Sequence, residues 1–200
     1  MLNKTGIAKA IASLRLDLSE PKRVLICGHT GCGKTELLRH IWHELEKTAT
    51  KDASFVIANL KRVEWPPVSD SRLLYPVITD VKTMDTVITD LFTKQREGNT
   101  YVFWDVYDDY IVHGKNELKK FCRLLEEAPE KRISLFTVSS CVSHPGEYLL
   151  SFDDILIGHW TPVGYHDMPN WFQNELMKSH VEKLKPGQFL HMRGQKIITA

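Results

Sequence analysis

A three-layer α/β sandwich with a largely parallel sheet is the fold class this sequence predicts, and three observations predict it. Short β-rich apolar runs alternate with amphipathic helical patterns along the chain. Several of these runs are apolar continuously, as in strands covered on both faces, instead of residue by residue. A glycine-rich octet, GHTGCGKT at residues 28–35, lies between the first apolar run and the first helical pattern. With 200 residues, 42% of them hydrophobic, the chain is long enough for one well-filled core and short for two. One domain over residues 1–200 is expected, with an N-terminal helix in 1–20 and a core over 22–200.

The elements follow in order. Ile7, Ile11, Leu14 and Leu18 recur at helical spacing and predict an amphipathic packing helix ahead of the core. KRVLIC predicts a strand, and after the octet KTELLRHIWHELEK carries Leu37, Leu38, Ile41 and Leu45 on one helical stripe. SFVIANL predicts a second strand, followed by the proline-broken VEWPPVSDS. LYPVITDVKTMDTVITDLFTKQ passes from an extended pattern into a helix near Thr83. TYVFWD predicts a strand, DVYDDY a turn with helix-capping residues, and NELKKFCRLLEEA a helix. RISLFTVSS and DDILIG predict two more strands. MPNWFQNELMKSHVEKL predicts a helix stopped by Pro186-Gly187, and QFLHM and KIITA a closing pair of strands.

The octet fits G-x-x-x-x-G-K-[ST] and stands after a strand and before a helix, where its mechanism needs it. Gly28, Gly31 and Gly33 let successive backbone N–H groups turn inward at a positive helix end, with His29, Thr30 and Cys32 completing the cradle. Lys34 is expected to reach the β and γ phosphates of ATP, and Thr35 to put its hydroxyl on Mg²⁺. Asp105 closes the apolar strand YVFW, on the same sheet edge as the loop, and is expected to hold the magnesium. A further carboxylate must orient the attacking water. Val106 follows Asp105, so Asp108 or Asp109 has to serve if the chain curls back; Asp109 is taken as the catalytic candidate.

With these parts in order, the chain resembles the FtsK–HerA superfamily of DNA-pumping P-loop ATPases, in particular its viral genome-packaging branch. The resemblance runs from about Lys22 to Gly194 and rests on GHTGCGKT, YVFWD, RISLFTVSSCVSHP and LKPGQFLHM. It implies a RecA/ASCE-like P-loop NTPase sandwich and a γ-phosphate sensor at the end of the third of these segments, which aligns with Ser140, with Ser139 just before it. Gln is common there in the family, and a serine hydroxyl has the shorter reach. The resemblance also implies a homo-oligomeric ring, usually hexameric, completed at each site by a neighbour's arginine. Arg62, Arg72, Arg123 and Arg132 are the candidates. Double-stranded DNA would be the partner, with Lys61, Arg62, Lys115, Lys119 and Lys120 as DNA-facing candidates and capsid vertex proteins as further contacts. Virion or infected-cell cytoplasm would be the location.

Composition narrows the alternatives. A formal net charge of +1, from 26 basic and 25 acidic residues, carries no bulk signal for nucleic acid. The four cysteines form no CxxC pair and read as reduced thiols of an intracellular protein. No run approaches the roughly 20 apolar residues of a membrane span, and no signal-like apolar stretch opens the chain. The nine histidines form no HExxH, so no metal beyond the nucleotide's magnesium is expected. Two other readings stay open: a small P-loop kinase, against which the scattered arginines count, and a nucleotide-binding assembly protein without motor activity.

Overall fold

A computed structural model of the chain describes residues 11–12, 20–60, 65, 71–94, 96–106, 108–112, 114–139, 151–160, 175–194 and 196–199. Seven strands form one sheet in the order β2-β3-β4-β1-β5-β6-β7. They are β1 (Arg23–Cys27), β2 (Ser54–Asn59), β3 (Thr100–Asp105), β4 (Ile133–Ser139), β5 (Asp154–Ile157), β6 (Leu190–Arg193) and β7 (Lys196–Thr199). The first five run parallel, and β6 and β7 add an antiparallel edge. Among the described residues the helices of four residues or more are α1 (Lys34–Thr48), α2 (Val81–Thr93), α3 (Asp108–Ile111), α4 (Lys115–Glu127) and α5 (Glu175–Val181).

The continuous apolar runs divide by the two-residue period of a strand. Val24, Ile26, Phe55, Ile57, Phe103, Phe136 and Val138 face α1, meeting Leu37, Leu38, Ile41, Trp42 and Leu45. Their neighbours Leu25, Cys27, Val56, Ala58, Val102, Trp104 and Leu135 face α2 and α4, meeting Met84, Val87, Ile88, Leu91, Phe121, Leu124 and Leu125. These are the two cores of a three-layer sandwich, the expected fold. Phe103 stacks on Phe136 in one core at 5.1 Å, and Trp104 meets Tyr110 and Phe121 edge-on in the other.

Local differences from expectation have local causes. Helix α2 opens at Val81, ahead of Thr83, because the Asp80 carboxylate accepts the Thr83 N–H at 2.8 Å as an N-cap. The extended lead-in pairs Leu73 with Phe55 and Ile78 with Ala58. The DVYDDY turn contains the single-turn helix α3. Helix α5 ends at Val181, before Pro186, and residues 168–174 of the predicted helix lie outside the described residues. Of the N-terminal stripe, Ile11 packs on the α1-side core, and Ile7, Leu14 and Leu18 lie outside the described residues. Among the described residues no helix is long and apolar enough to cross a membrane.

The topology brings the site together. Strand β4 lies between β3 and β1, with Cys27 opposite Ser139 and Asn59 opposite Asp105. In parallel strands these carboxyl ends share one edge, where the N-terminus of α1 also lies.

Candidate nucleotide site

The glycine loop leaves β1 at Cys27 and enters α1 at Lys34 through left-handed or related conformations at Gly28 (φ 145°), Gly31 (φ 84°) and Gly33 (φ 101°). Gly33 is the helix N-cap and offers no side chain to the first-turn N–H groups, so these donors face the hollow of the loop. The loop is tied down by its own backbone: His29 N–H donates to the His159 carbonyl at 2.9 Å, and Gly158 N–H donates to Cys27 at 2.8 Å. Cys32 has a different part from the rim residues His29, Thr30 and Gly31, which are exposed. Its side chain is buried, wedged so tightly against Gly28 and Gly158 that a Cβ on either would lie 2.8 or 2.6 Å from its sulfur. Its carbonyl accepts the Gly187 N–H, so the glycine-led approach to β6 braces the loop from below.

Lys34 is 8% exposed, and its Nζ donates to the carbonyls of Gly28 at 2.8 Å and His29 at 3.0 Å, which holds the ammonium across the loop. Thr35 Oγ1 donates to Asp105 Oδ1 at 3.1 Å, joining the first turn of α1 to the end of β3, seventy residues apart. Asp105 is fully buried. A hydroxyl and a carboxylate side by side are hard oxygen donors suited to magnesium. Among the described residues no three His, Cys, Asp or Glu side chains cluster as metal ligands, so an ion here would complete its shell with phosphate and water.

Beyond Asp105 the chain turns at Val106, whose φ of 60° is uncommon for a β-branched residue. The turn starts α3, and Asp108 points back to the sheet: Ser139 Oγ lies 2.9 and 3.0 Å from its two carboxylate oxygens. Both residues are buried. Helix α3 is clamped from its other side by Tyr110, whose hydroxyl donates to Asp85 Oδ1 at 3.0 Å, where the Lys120 ammonium also binds. These bonds hold the Asp85 carboxyl below the usual range, with Lys120 first and Tyr110 adding to it against the effect of burial. The Tyr110 phenol is pushed well up, by burial first and then by Asp85. Cys27, beneath the loop, is a free thiol pushed far above its ordinary value, by burial first.

Thus the structure joins Thr35 to Asp105 and Ser139 to Asp108. Asp109 lies in α3 with its side chain outside the described residues, and Ser140 lies wholly outside them. The Ser139–Asp108 contact and the wedging of Cys32 are features that sequence patterning did not single out.

Of the other charged candidates, Arg72, Arg123, Arg132 and Lys120 are engaged in structure. Arg72 donates to the carbonyls of Glu46, Ala49 and Thr50 at the end of α1 and lies 4.8 Å over the Phe55 ring. Arg123 pairs with Glu127 and lies over Phe92, and Arg132 donates to the Glu97 carbonyl. Lys120 belongs to the Asp85 cluster, whereas Lys115 and Lys119 are exposed. Lys61 and Arg62 lie outside the described residues.

This sheet, loop and strand order are shared with solved structures of nucleotide-binding α/β proteins. The genome-packaging NTPase B204 from Sulfolobus turreted icosahedral virus 2, in complex with AMP, superposes with a TM-score of 0.66 at 15% identity, over 90% of this chain and 97% of that one. The pCW3 conjugation coupling protein TcpA, a monomer form with ATPγS, gives 0.66 at 16% identity over 92% of this chain and 60% of that one. Thermomonospora curvata EccC, a type VII secretion ATPase, gives 0.59 at 15% identity over 72% of this chain. The chain spans only 31% and 21% of the two EccC chains it matches. No protein-family model matches the chain, and no curated protein matches its sequence.

Proposed function

We propose that this chain hydrolyses ATP with Mg²⁺ and couples the hydrolysis to translocation of double-stranded DNA, packaging a viral genome into a capsid. The observation that carries the reading is the Thr35–Asp105 contact beneath a loop whose lysine already spans it. The packaging role is supported by a likeness in fold that covers 97% of a viral genome-packaging NTPase, leaving almost nothing of that chain unmatched. In this reading residues 1–200 are one ATPase domain that works as a homo-oligomeric ring, hexameric by resemblance, in the virion or the infected cell.

The first-turn N–H groups of α1 and the loop amides bind the phosphates, and the Lys34 ammonium exchanges its two carbonyl partners for phosphate oxygens. Thr35 and Asp105 would hold the metal, which when bound offsets phosphate charge. Water exclusion comes from the buried floor of Cys27, Cys32 and Asp105. Charge developing at the transferred phosphoryl group is stabilised by the same donors, already oriented by the fold.

Steady-state phosphate release, with and without double-stranded DNA, tests this in the parent and in Lys34→Ala. The expected result is DNA-stimulated turnover that the substitution abolishes. Nucleotide binding with no turnover in either condition would instead make the chain a non-motor nucleotide-binding protein.

A further inference from the structure

The sequence offers Asp108 and Asp109 as carboxylates beyond Asp105, and the fold supplies a surround for the first of them. Asp108 is 6% exposed, and the hydroxyl of Ser139, itself fully buried, reaches both of its oxygens. Ser139 ends β4, the strand between the one that carries the phosphate loop and the one that carries Asp105. Its register partner is Cys27, the residue directly before the loop. Burial first and then Cys32 push the Cys27 thiol up, and Lys34 and Asp108 act on it electrostatically in opposite directions.

Strand alternation sharpens the placement. Asp105 shares the parity of Tyr101 and Phe103 and so lies toward α1, where it meets Thr35. Ser139 shares the parity of Ile133 and Leu135 and lies on the α2 and α4 side. The two carboxylates therefore flank the sheet edge from opposite faces, one beside the magnesium-binding hydroxyl and the other beside the end of β4. Burying a carboxylate is costly, and a helix start needs only an exposed cap. The positive φ of Val106 and the Tyr110–Asp85 clamp on α3 aim it nevertheless.

We propose that Asp108 is the catalytic carboxylate that orients the attacking water and takes its proton, and that Ser139 is a positioning residue that holds it. The inference rests on the ATPase reading above. In the step, the water oxygen bonds to the γ-phosphorus as the bond from that phosphorus to the β–γ bridging oxygen breaks. The bridging oxygen leaves on ADP with the electron pair. The water proton passes to Asp108 and from there to the released phosphate or to solvent.

The test compares ATP turnover with calorimetric ATPγS binding in the parent, Asp108→Asn, Ser139→Ala and Ser139→Thr. Asn is close in size and still accepts from Ser139, so Asp108→Asn is expected to bind like the parent while kcat falls by about 10²- to 10⁴-fold. Ser139→Ala is expected to lower kcat roughly tenfold with KM little changed, and Ser139→Thr, which keeps the hydroxyl, to recover most of the loss. Parent-level turnover in Asp108→Asn overturns the proposal and leaves the ATPase reading standing. Loss of ATPγS binding in Asp108→Asn makes the pair structural and also overturns it. Absence of turnover in the parent overturns both.

Discussion

At the carboxyl edge of the sheet, Lys34, Asn59, Asp105, Asp108 and Ser139 are all buried; at the amino edge the Asp154 carboxylate is buried as well, but the cations Arg23, Arg72 and Lys131 are half-buried and Arg132 is exposed. Helix direction accounts for the difference. In a parallel α/β fold the helix N-termini gather at the carboxyl edge and the C-termini at the amino edge. The amino-edge cations accordingly bind helix-end carbonyls: Arg72 those of α1, Lys131 that of Phe92 in α2, and Arg23 that of Leu125 in α4. Cations there complete the fold. At the other edge the helix donors of α1 face the loop, and the polar side chains answer to one another across distant elements. Charge at the amino edge therefore closes structure, and charge at the carboxyl edge is what the proposed function puts to use.

If that contrast holds, substitutions at the two edges should separate binding from stability. The largest effect is expected from Lys34→Ala, which should reduce ATP turnover by about 10³-fold and abolish measurable nucleotide binding by calorimetry. Its melting temperature should stay close to the parent's; a large drop would break the contrast. Next is Asp154→Asn at the amino edge, where the buried carboxylate is held by His191 at 2.7 Å and Arg193 at 2.9 Å. Urea unfolding should show a loss of about 3 kcal/mol with ATP binding unchanged.

That second substitution has a pH signature. Burial alone would raise the Asp154 carboxyl, but the His191 and Arg193 bonds outweigh it and hold the group below its ordinary range. A depressed carboxyl stabilises the fold above the unfolded value, near pH 4, and loses that contribution as pH falls through the folded value. The stability gap between parent and Asp154→Asn should hold near neutrality and shrink on acidification below about pH 4. A gap that widened there would refute the assignment.

Smaller effects sharpen the comparison further. Gly28→Ala forces a side chain onto a φ of 145° and within 2.8 Å of the Cys32 sulfur, so it should cost about 2 kcal/mol and weaken nucleotide binding as well. Arg72→Ala should cost about 1 kcal/mol through lost carbonyl bonds and ring contact, and leave binding untouched. Thermal melts with and without ATPγS distinguish these two, since only the first should lose ligand-induced stabilisation.

The strands and helices were legible because hydrophobic period is a local property: KRVLIC, TYVFWD and the stripe Leu37, Leu38, Ile41 and Leu45 needed no partner to be read. The loop residues were legible because their backbone demands are local as well. The partner of Asp108 was not. Asp108 and Asp109 are adjacent in sequence but about 100° apart around a helix, and which one faces the sheet depends on the turn at Val106. Ser139 is placed in the same way, by strand alternation that puts it on the α2 and α4 side of the sheet.

Cys32 shows the limit from another side. It occupies a position the motif leaves free, yet it is wedged between Gly28 and Gly158, two glycines 130 residues apart. Sequence by itself determined the order of strands and helices, the phosphate loop, and a carboxylate at the end of β3. Only the tertiary structure decided which carboxylate meets which hydroxyl, because that depends on strand register and on the rotation of a single-turn helix, neither of which any residue specifies alone.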